Sequence, residues 1–227
     1  MSYTFSILHP TARVPDGWRS AADAWLANCS RPQDVEYVLA VHESQRHVLL
    51  CKGLGFGLFH LVESRGRRCW VENSNAAARA STGKFLVLSA DDFFPPKNWD
   101  LGMLAAIPNI DAPCVLDLGT SDSIGQPGLI AFPTMTRAYY EQLGRGGCGG
   151  NFLYPEYISM GADDDFTEYA HRDGAVVDAR HLKFEHRHWS NGARPHDGVD
   201  DWQSGRPEVW EVKERVIARR RREGFVR

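Results

Sequence analysis

Four consecutive apolar residues, Phe85-Leu86-Val87-Leu88, run without a break into Ser89-Ala90-Asp91-Asp92, and this junction limits the folds open to the chain. A short, wholly apolar run bounded by polar residues marks a strand buried on both faces, as parallel sheets require. Open α/β sheets gather their ligands at the carboxyl ends of such strands. Two adjacent carboxylates there repel one another unless a cation or solvent compensates. Hard oxygens of this kind suit Mg²⁺ or Mn²⁺ together with substrate phosphates. A plainer role is equally open to them: a strand-end turn in which Asp92 caps the next segment before Pro95-Pro96 break the chain.

Upstream, strand-like and helix-like segments alternate at the spacing of βαβ units, which predicts a largely parallel sheet covered by helices. Tyr3 to Leu8, Val35 to Val41 and Leu58 to Val62 read as strands. Pro15 to Asn28 reads as a helix, with Pro15 suited to its first turn. Gln45 to Gly57, broken by three glycines, predicts a loop or short helix. Ser74 can cap an alanine-rich helix over Asn75 to Ser81, and Gly83 is expected to stop it as a left-handed residue. Downstream, Cys114 to Leu118 and Leu129 to Pro133 read as strands and Thr134 to Leu143 as a helix ended by Gly144. The glycine-rich stretch Gly144 to Gly150 reads as a lid or a plain connector. Asp163 to His171 then looks helical, Ala175 to Ala179 strand-like, and Pro207 to Arg222 forms a last amphipathic helix.

At 227 residues and 43% hydrophobic content, one domain with one core is the default. No apolar run reaches the roughly 20 residues that span a bilayer, and Met1 to Thr4 lacks the regions of a signal peptide, so a soluble, cytoplasmic protein is expected. Five scattered cysteines without C-x-x-C spacing indicate neither a disulfide framework nor a cysteine zinc site. A formal net charge of −3 argues against a surface built as a whole to grip nucleic acid. The charge is uneven, however. Arg219, Arg220, Arg221 and Arg222 end the last helix, where cations suit the helix dipole and could also touch a polyanion.

Two further clusters could carry chemistry. Asp163-Asp164-Asp165 opens a helix, where one carboxylate suffices as a cap; three exceed that need, and one could act as general base toward an acceptor hydroxyl. His186 and His188 fall on one face of an extended segment, and a neutral imidazole, His186 for preference, could join the aspartates around a metal. Trp99, Trp189 and Trp202 could stack on sugar or base rings or lie in the core.

Taken together, these residues resemble the family-2 glycosyltransferases of the GT-A fold over most of the chain, from Tyr3 to about Trp189. Phe5 to Arg13 looks like the family's first strand and the turn that approaches the nucleotide. Glu43 matches the acid that contacts the base. The run Asn73 to Asp92 is similar to the family's asparagine, alanine-rich helix, glycine, strand and D-x-D signature. The resemblance implies a Rossmann-like α/β single domain with a mixed, mostly parallel central sheet flanked by helices. Its donor half would be 1–110, its acceptor and catalytic half 111–195, and its helical tail 196–227. It further implies a glycosyltransferase that uses a nucleoside diphosphate sugar and Mn²⁺ or Mg²⁺, with donor contacts at Thr11, Arg13, Glu43, Asn75, Asp91 and Asp92.

In that comparison Asp91 takes the place of the signature's second aspartate and Ser89 replaces the first. The metal ligands would be Asp91 and His186. Asp163 takes the base's position; because the family's glutamate is Ala162 here, Asp164 is the alternative one residue on. The implied reaction is an inverting displacement on the anomeric carbon. A sugar-nucleotide-forming nucleotidyltransferase would need a glycine-rich loop after the first strand, where His9-Pro10-Thr11-Ala12-Arg13 stands instead. A glycoside hydrolase also uses paired carboxylates, but the Asn73 to Asp92 run matches a donor-binding pattern better. A DNA-modifying transferase acting on a hydroxylated base, or a non-catalytic module binding nucleic acid or sugar, would each give the arginine run a purpose.

Overall fold

The computed structural model describes residues 3–48, 54–121, 128–144 and 150–225. In chain order its elements are β1 (Phe5–Pro10), α1 (Arg19–Ala27), β2 (Val35–His42), β3 (Leu58–Ser64), α2 (Trp70–Ala80), β4 (Phe85–Leu88), β5 (Phe93–Phe94) and α3 (Trp99–Ala106). Beyond these come β6 (Val115–Thr120), β7 (Thr134–Thr136), α4 (Arg137–Leu143), α5 (Ala162–Arg172), β8 (Val176–His186), the single turn α6 (Gly198–Asp200) and α7 (Pro207–Arg222). The strands form one eight-stranded sheet in the order β3-β2-β1-β4-β7-β6-β8-β5. It is parallel across β3, β2, β1 and β4, and again between β6 and β8. β7 enters antiparallel between β4 and β6, and β5 antiparallel against β8.

Alternation along the strands divides the core in two. Phe5 and Ile7 of β1 and Phe85 and Val87 of β4 face Trp18 and Trp25 near or within α1 and Trp99 of α3. Leu8, Leu86 and Leu88 face the other way, toward Ala77 and Ala78 of α2, Phe166 of α5 and Val216 of α7. Both faces of the central strands are thus covered, which is why Phe85 to Leu88 tolerates no polar residue. Among the described residues no helix is long and apolar enough to cross a membrane.

Four local expectations are corrected. Ser74 is no cap: α2 begins one turn earlier, Cys69 Sγ accepts from the Glu72 N–H at 3.4 Å, and Ser74 Oγ donates back to the Trp70 carbonyl at 2.8 Å inside the helix. Gly83 is not a positive-φ residue. It is needed for close approach, since a Cβ there would stand 2.5 Å from Ser6 Oγ and 2.8 Å from the Phe5 carbonyl carbon. Residues 129–133 form no strand; the pairing with β4 is made by Thr134–Thr136, which a helix-like pattern conceals. β8 runs to His186, well past Ala179, because its second half pairs with the last residues of β6 after a register shift. Residues 49–53 of the glycine-interrupted segment and 145–149 of the glycine-rich stretch lie outside the described residues, and with them Cys51 and Cys148.

Candidate active site

Parallel pairing of β1 with β4 sets Leu8 beside Leu88, and the Ser89 N–H continues the ladder to the Leu8 carbonyl at 2.8 Å. The residues that leave β1 therefore meet those that leave β4. His9 Nε2 lies 2.9 Å from Asp91 Oδ1, and its Nδ1 bonds the Tyr37 hydroxyl. Burial, with the Asp91 charge adding to it, pushes the Tyr37 hydroxyl well above its ordinary range. Tyr37 thus keeps its proton, and both ring nitrogens of His9 are engaged, one by that hydroxyl and the other by Asp91. Arg13 Nη1 donates to the other oxygen of Asp91 at 3.3 Å.

Asp92 is held from the opposite side. The β5–β8 pairing opposes Phe93 to His186, and the Arg187 N–H donates to the Asp92 carbonyl at 2.7 Å. His186 Nε2 consequently stands 3.4 Å from Asp92 Oδ1, and Arg194 Nε and Nη2 donate to Oδ2 at 3.2 and 3.1 Å. Burial opposes the charge on Asp92, yet the hydrogen bond and charge of His186, joined by Arg194, hold its carboxyl down at about 2.

Two aspartates past β8 close the cluster. Arg13 donates to Asp197 Oδ2 at 2.9 Å and to Asp200 Oδ1 at 2.8 Å, and Arg194 donates to the two oxygens of Asp200 at 2.6 and 2.7 Å. Asp197 also caps α6 in a reciprocal capping box with Asp200. Sequence reasoning missed Arg194 and Asp200. Nothing in their spacing links them to Asp92, 102 residues from Arg194.

Beside this cluster lies a shallow groove whose walls include Thr11, Gln45, Arg68, Trp70, Asn73 and Trp202. Thr11, expected as a donor contact, is one of these walls. Glu43 is exposed and not among the groove's lining residues; the buried member of its turn is Gln45, whose Nε2 donates to the Ala12 carbonyl at 3.1 Å. Asn75 is corrected from a donor contact to a buttress. Its Oδ1 accepts from the Phe152 and Leu153 N–H groups at 3.2 and 3.0 Å and its Nδ2 donates to the Leu153 carbonyl at 2.9 Å, and the side chain is buried away from the groove's lining residues. Asn73, two residues earlier, lines the groove instead. Trp99 is core at 1% exposure, and Trp202 is a groove wall with Arg68 over its ring at 5.5 Å.

The N-terminus of α5 is tied toward the same end of the sheet. The Val71 N–H at the start of α2 donates to the Ile158 carbonyl at 3.4 Å, and Ser159 Oγ donates to the carbonyl of Gln203, a groove residue, at 2.6 Å. Gly161, with φ of +88°, then turns the chain into α5, where Asp163 is half-buried. Burial, with the neighbouring Asp164 charge adding to it, pushes the Asp163 carboxyl up to about 6.

The arginine run divides. Arg220 is 1% exposed and bonded through Nε and Nη2 to the buried Asp165 at 2.9 and 3.2 Å. Arg219 donates to Glu156 at 2.7 Å. Of the four, only Arg221 and Arg222 are exposed.

No protein-family model matches the chain, and no curated protein matches it. Solved structures do. The mannosyltransferase PcManGT from Pyrobaculum calidifontis, in complex with GDP-Man and Mn²⁺, is similar with a TM-score of 0.57 at 16% identity, over 89% of this chain and 60% of that one. Residues 1–349 of TarS from S. aureus give 0.53 at 15% identity, over 80% of this chain and 60% of that one. Glucosyl-3-phosphoglycerate synthase from Mycobacterium tuberculosis, in complex with phosphoglyceric acid, gives 0.56 at 10% identity, over 93% and 79%. The chain thus spans about 60% of the length of the first two. What is shared at these identities is architecture: the chain is a single α/β domain with the GT-A glycosyltransferase fold.

Proposed function

We propose that the chain transfers a sugar from a nucleoside diphosphate sugar to an acceptor hydroxyl, with inversion at the anomeric carbon. The observation that carries this is the meeting of Asp91, Asp92, Arg13 and Arg194 at the carboxyl end of β4, next to a groove walled by Thr11 and Asn73. Fold and position fit a donor site. The solved relatives include complexes with UDP and with GDP-Man, which are properties of those proteins and support the same class of donor here.

In the reaction Asp163 takes the acceptor hydroxyl's proton as that oxygen bonds the anomeric carbon; the bond from that carbon to the diphosphate breaks, and its electron pair leaves on the phosphate oxygen. A carboxylate raised to about 6 remains ionised at neutral pH and is a stronger base than an ordinary aspartate. Arg13 and Arg194 would oppose the charge that grows on a departing diphosphate. Asp197, 44% exposed on its side chain, is the partner that a phosphate would displace from Arg13.

The Mn²⁺ or Mg²⁺ expected on Asp91 and His186 does not fit the residues as arranged. Both carboxylates are engaged by guanidinium groups, His186 lies against Asp92 instead of Asp91, and among the described residues no three His, Cys, Asp or Glu side chains are grouped to hold an ion. No step above therefore passes through a metal. A thermal-shift screen of nucleoside diphosphate sugars, with Mn²⁺ and with EDTA, tests the proposal, because a ligand of the native state raises Tm. No shift with any donor under either condition would refute it.

A further inference from the structure

Asp163, Asp164 and Asp165 enter the first turn of α5 in succession, and α7 divides them. Arg220 binds Asp165 in a pair buried on both sides. Lys213 Nζ lies 3.2 Å from Asp164 Oδ2. Lys213 and Arg220 are seven residues apart, about two helical turns, so one face of α7 presents both cations to α5. Asp163 receives neither. Its Oδ1 accepts from the Asp164 N–H at 3.1 Å, and no ion pair forms on it among the described residues.

We propose that Lys213 is a positioning residue that selects the base: by holding Asp164 in an ion pair, it leaves Asp163 as the carboxylate of the three free to take the acceptor's proton. The inference rests on Asp163 being the base. It is carried by the way the backbone accommodates Lys213. A Cβ on Gly161 would stand 2.8 Å from Lys213 Cγ, so the bare left-handed glycine before α5 is what lets the lysine stem lie across the helix start. The Arg220 pair is sealed from solvent and fixes α7; the Lys213–Asp164 pair is open to it, its side chains 22% and 34% exposed.

The charges acting on Asp163 are those of Asp164 on its own helix, which raises its carboxyl, and Lys213 on α7, which lowers it. Removing Lys213 deletes the opposing charge and frees Asp164 at the same time. Both changes make Asp163 harder to ionise, so the acid limb of the transfer rate moves to higher pH.

The test is the pH dependence of kcat in Lys213→Met at saturating donor, with donor Kd by calorimetry and Tm as controls. The limb should rise by about half a unit or more, lowering kcat near pH 6 by about twofold or more, with donor Kd within about twofold. Lys213→Arg should restore the limb. In an Asp164→Asn background the same lysine substitution should move it less, since only the direct effect of the Lys213 charge on Asp163 is then lost. An unshifted limb in Lys213→Met, or an equal shift with Asp164 already neutral, overturns the proposal, as does loss of transfer in Asp164→Asn with Asp163→Asn active. Full activity in both Asp163→Asn and Asp164→Asn would instead remove the base assignment on which the proposal stands.

Discussion

Arg194 Nη2 lies 3.1 Å from Asp92 Oδ2 and 2.6 Å from Asp200 Oδ1, so one guanidinium ties the tip of β4 to a turn more than a hundred residues later in the chain. The pair is mirrored by Arg13, which joins Asp91 to that same Asp200. The second half of the molecule thereby closes over the strand end that the first half builds.

Arg194→Ala should weaken binding of UDP or GDP by about tenfold or more, since a charge-assisted contact to phosphate is lost. Calorimetry in EDTA reads the effect without a metal, and repeating it with Mn²⁺ separates the two sources of charge. Donor binding that requires Mn²⁺ and ignores the arginine would return the site to the metal. The variant should also alter stability against pH. Asp92 is held at about 2 in the fold, below its ordinary range, so its contribution is present above about pH 4 and lost as pH falls through about 2. Without Arg194 the stability above pH 4 decreases, and the decrease fades toward pH 2.

Asp163→Asn should leave Kd for the nucleotide unchanged while kcat falls by about 10²- to 10⁴-fold, the usual worth of a general base. In the unsubstituted protein the rate should decline below about pH 6, where the Asp163 carboxyl takes up its proton. A limb at ordinary carboxylate pH, near 4, would place the base elsewhere.

The first half of the fold was legible because buried parallel strands write themselves as apolar runs: Val35 to Val41 and Phe85 to Leu88 appear almost unchanged in β2 and β4. Asp91 and Asp92 were legible by their place after such a run. Thr134–Thr136 was not, since a three-residue strand between two longer ones has no period of its own. Nor could sequence distinguish Asn75 from Asn73. Both are buried on α2, and only tertiary structure decides that one faces the segment at Phe152 and the other the groove. Glu36 escaped for a similar reason. It is an acid inside an apolar strand, and its burial makes sense only once Thr82 Oγ1 and the Gly83 N–H are seen donating to it at 3.0 and 2.8 Å.

Asn75→Ala should act on folding and not on binding. It orphans two buried N–H groups and one carbonyl of Phe152 and Leu153, each costing about 1 to 3 kcal/mol where water cannot reach. Urea unfolding should show a loss of at least about 2 kcal/mol, while the folded fraction binds nucleotide with unchanged Kd. An undiminished midpoint together with weakened nucleotide binding would reinstate Asn75 as a donor contact.

Arg220 and its exposed neighbours should behave oppositely. Arg220→Met leaves Asp165 charged and buried without its partner, which costs about 3 to 5 kcal/mol. Pairing it with Asp165→Leu removes the stranded charge and should recover most of that loss, because a buried ion pair and an apolar pair of similar size are often close in stability. Substituting Arg221 and Arg222, both exposed, should change stability by no more than about 0.5 kcal/mol. Unfolding measurements on the single and double variants check the first pair of claims. If Arg220→Met were as stable as the parent, α7 would not be anchored through this ion pair, and the seven-residue spacing of Lys213 and Arg220 would lose its structural meaning.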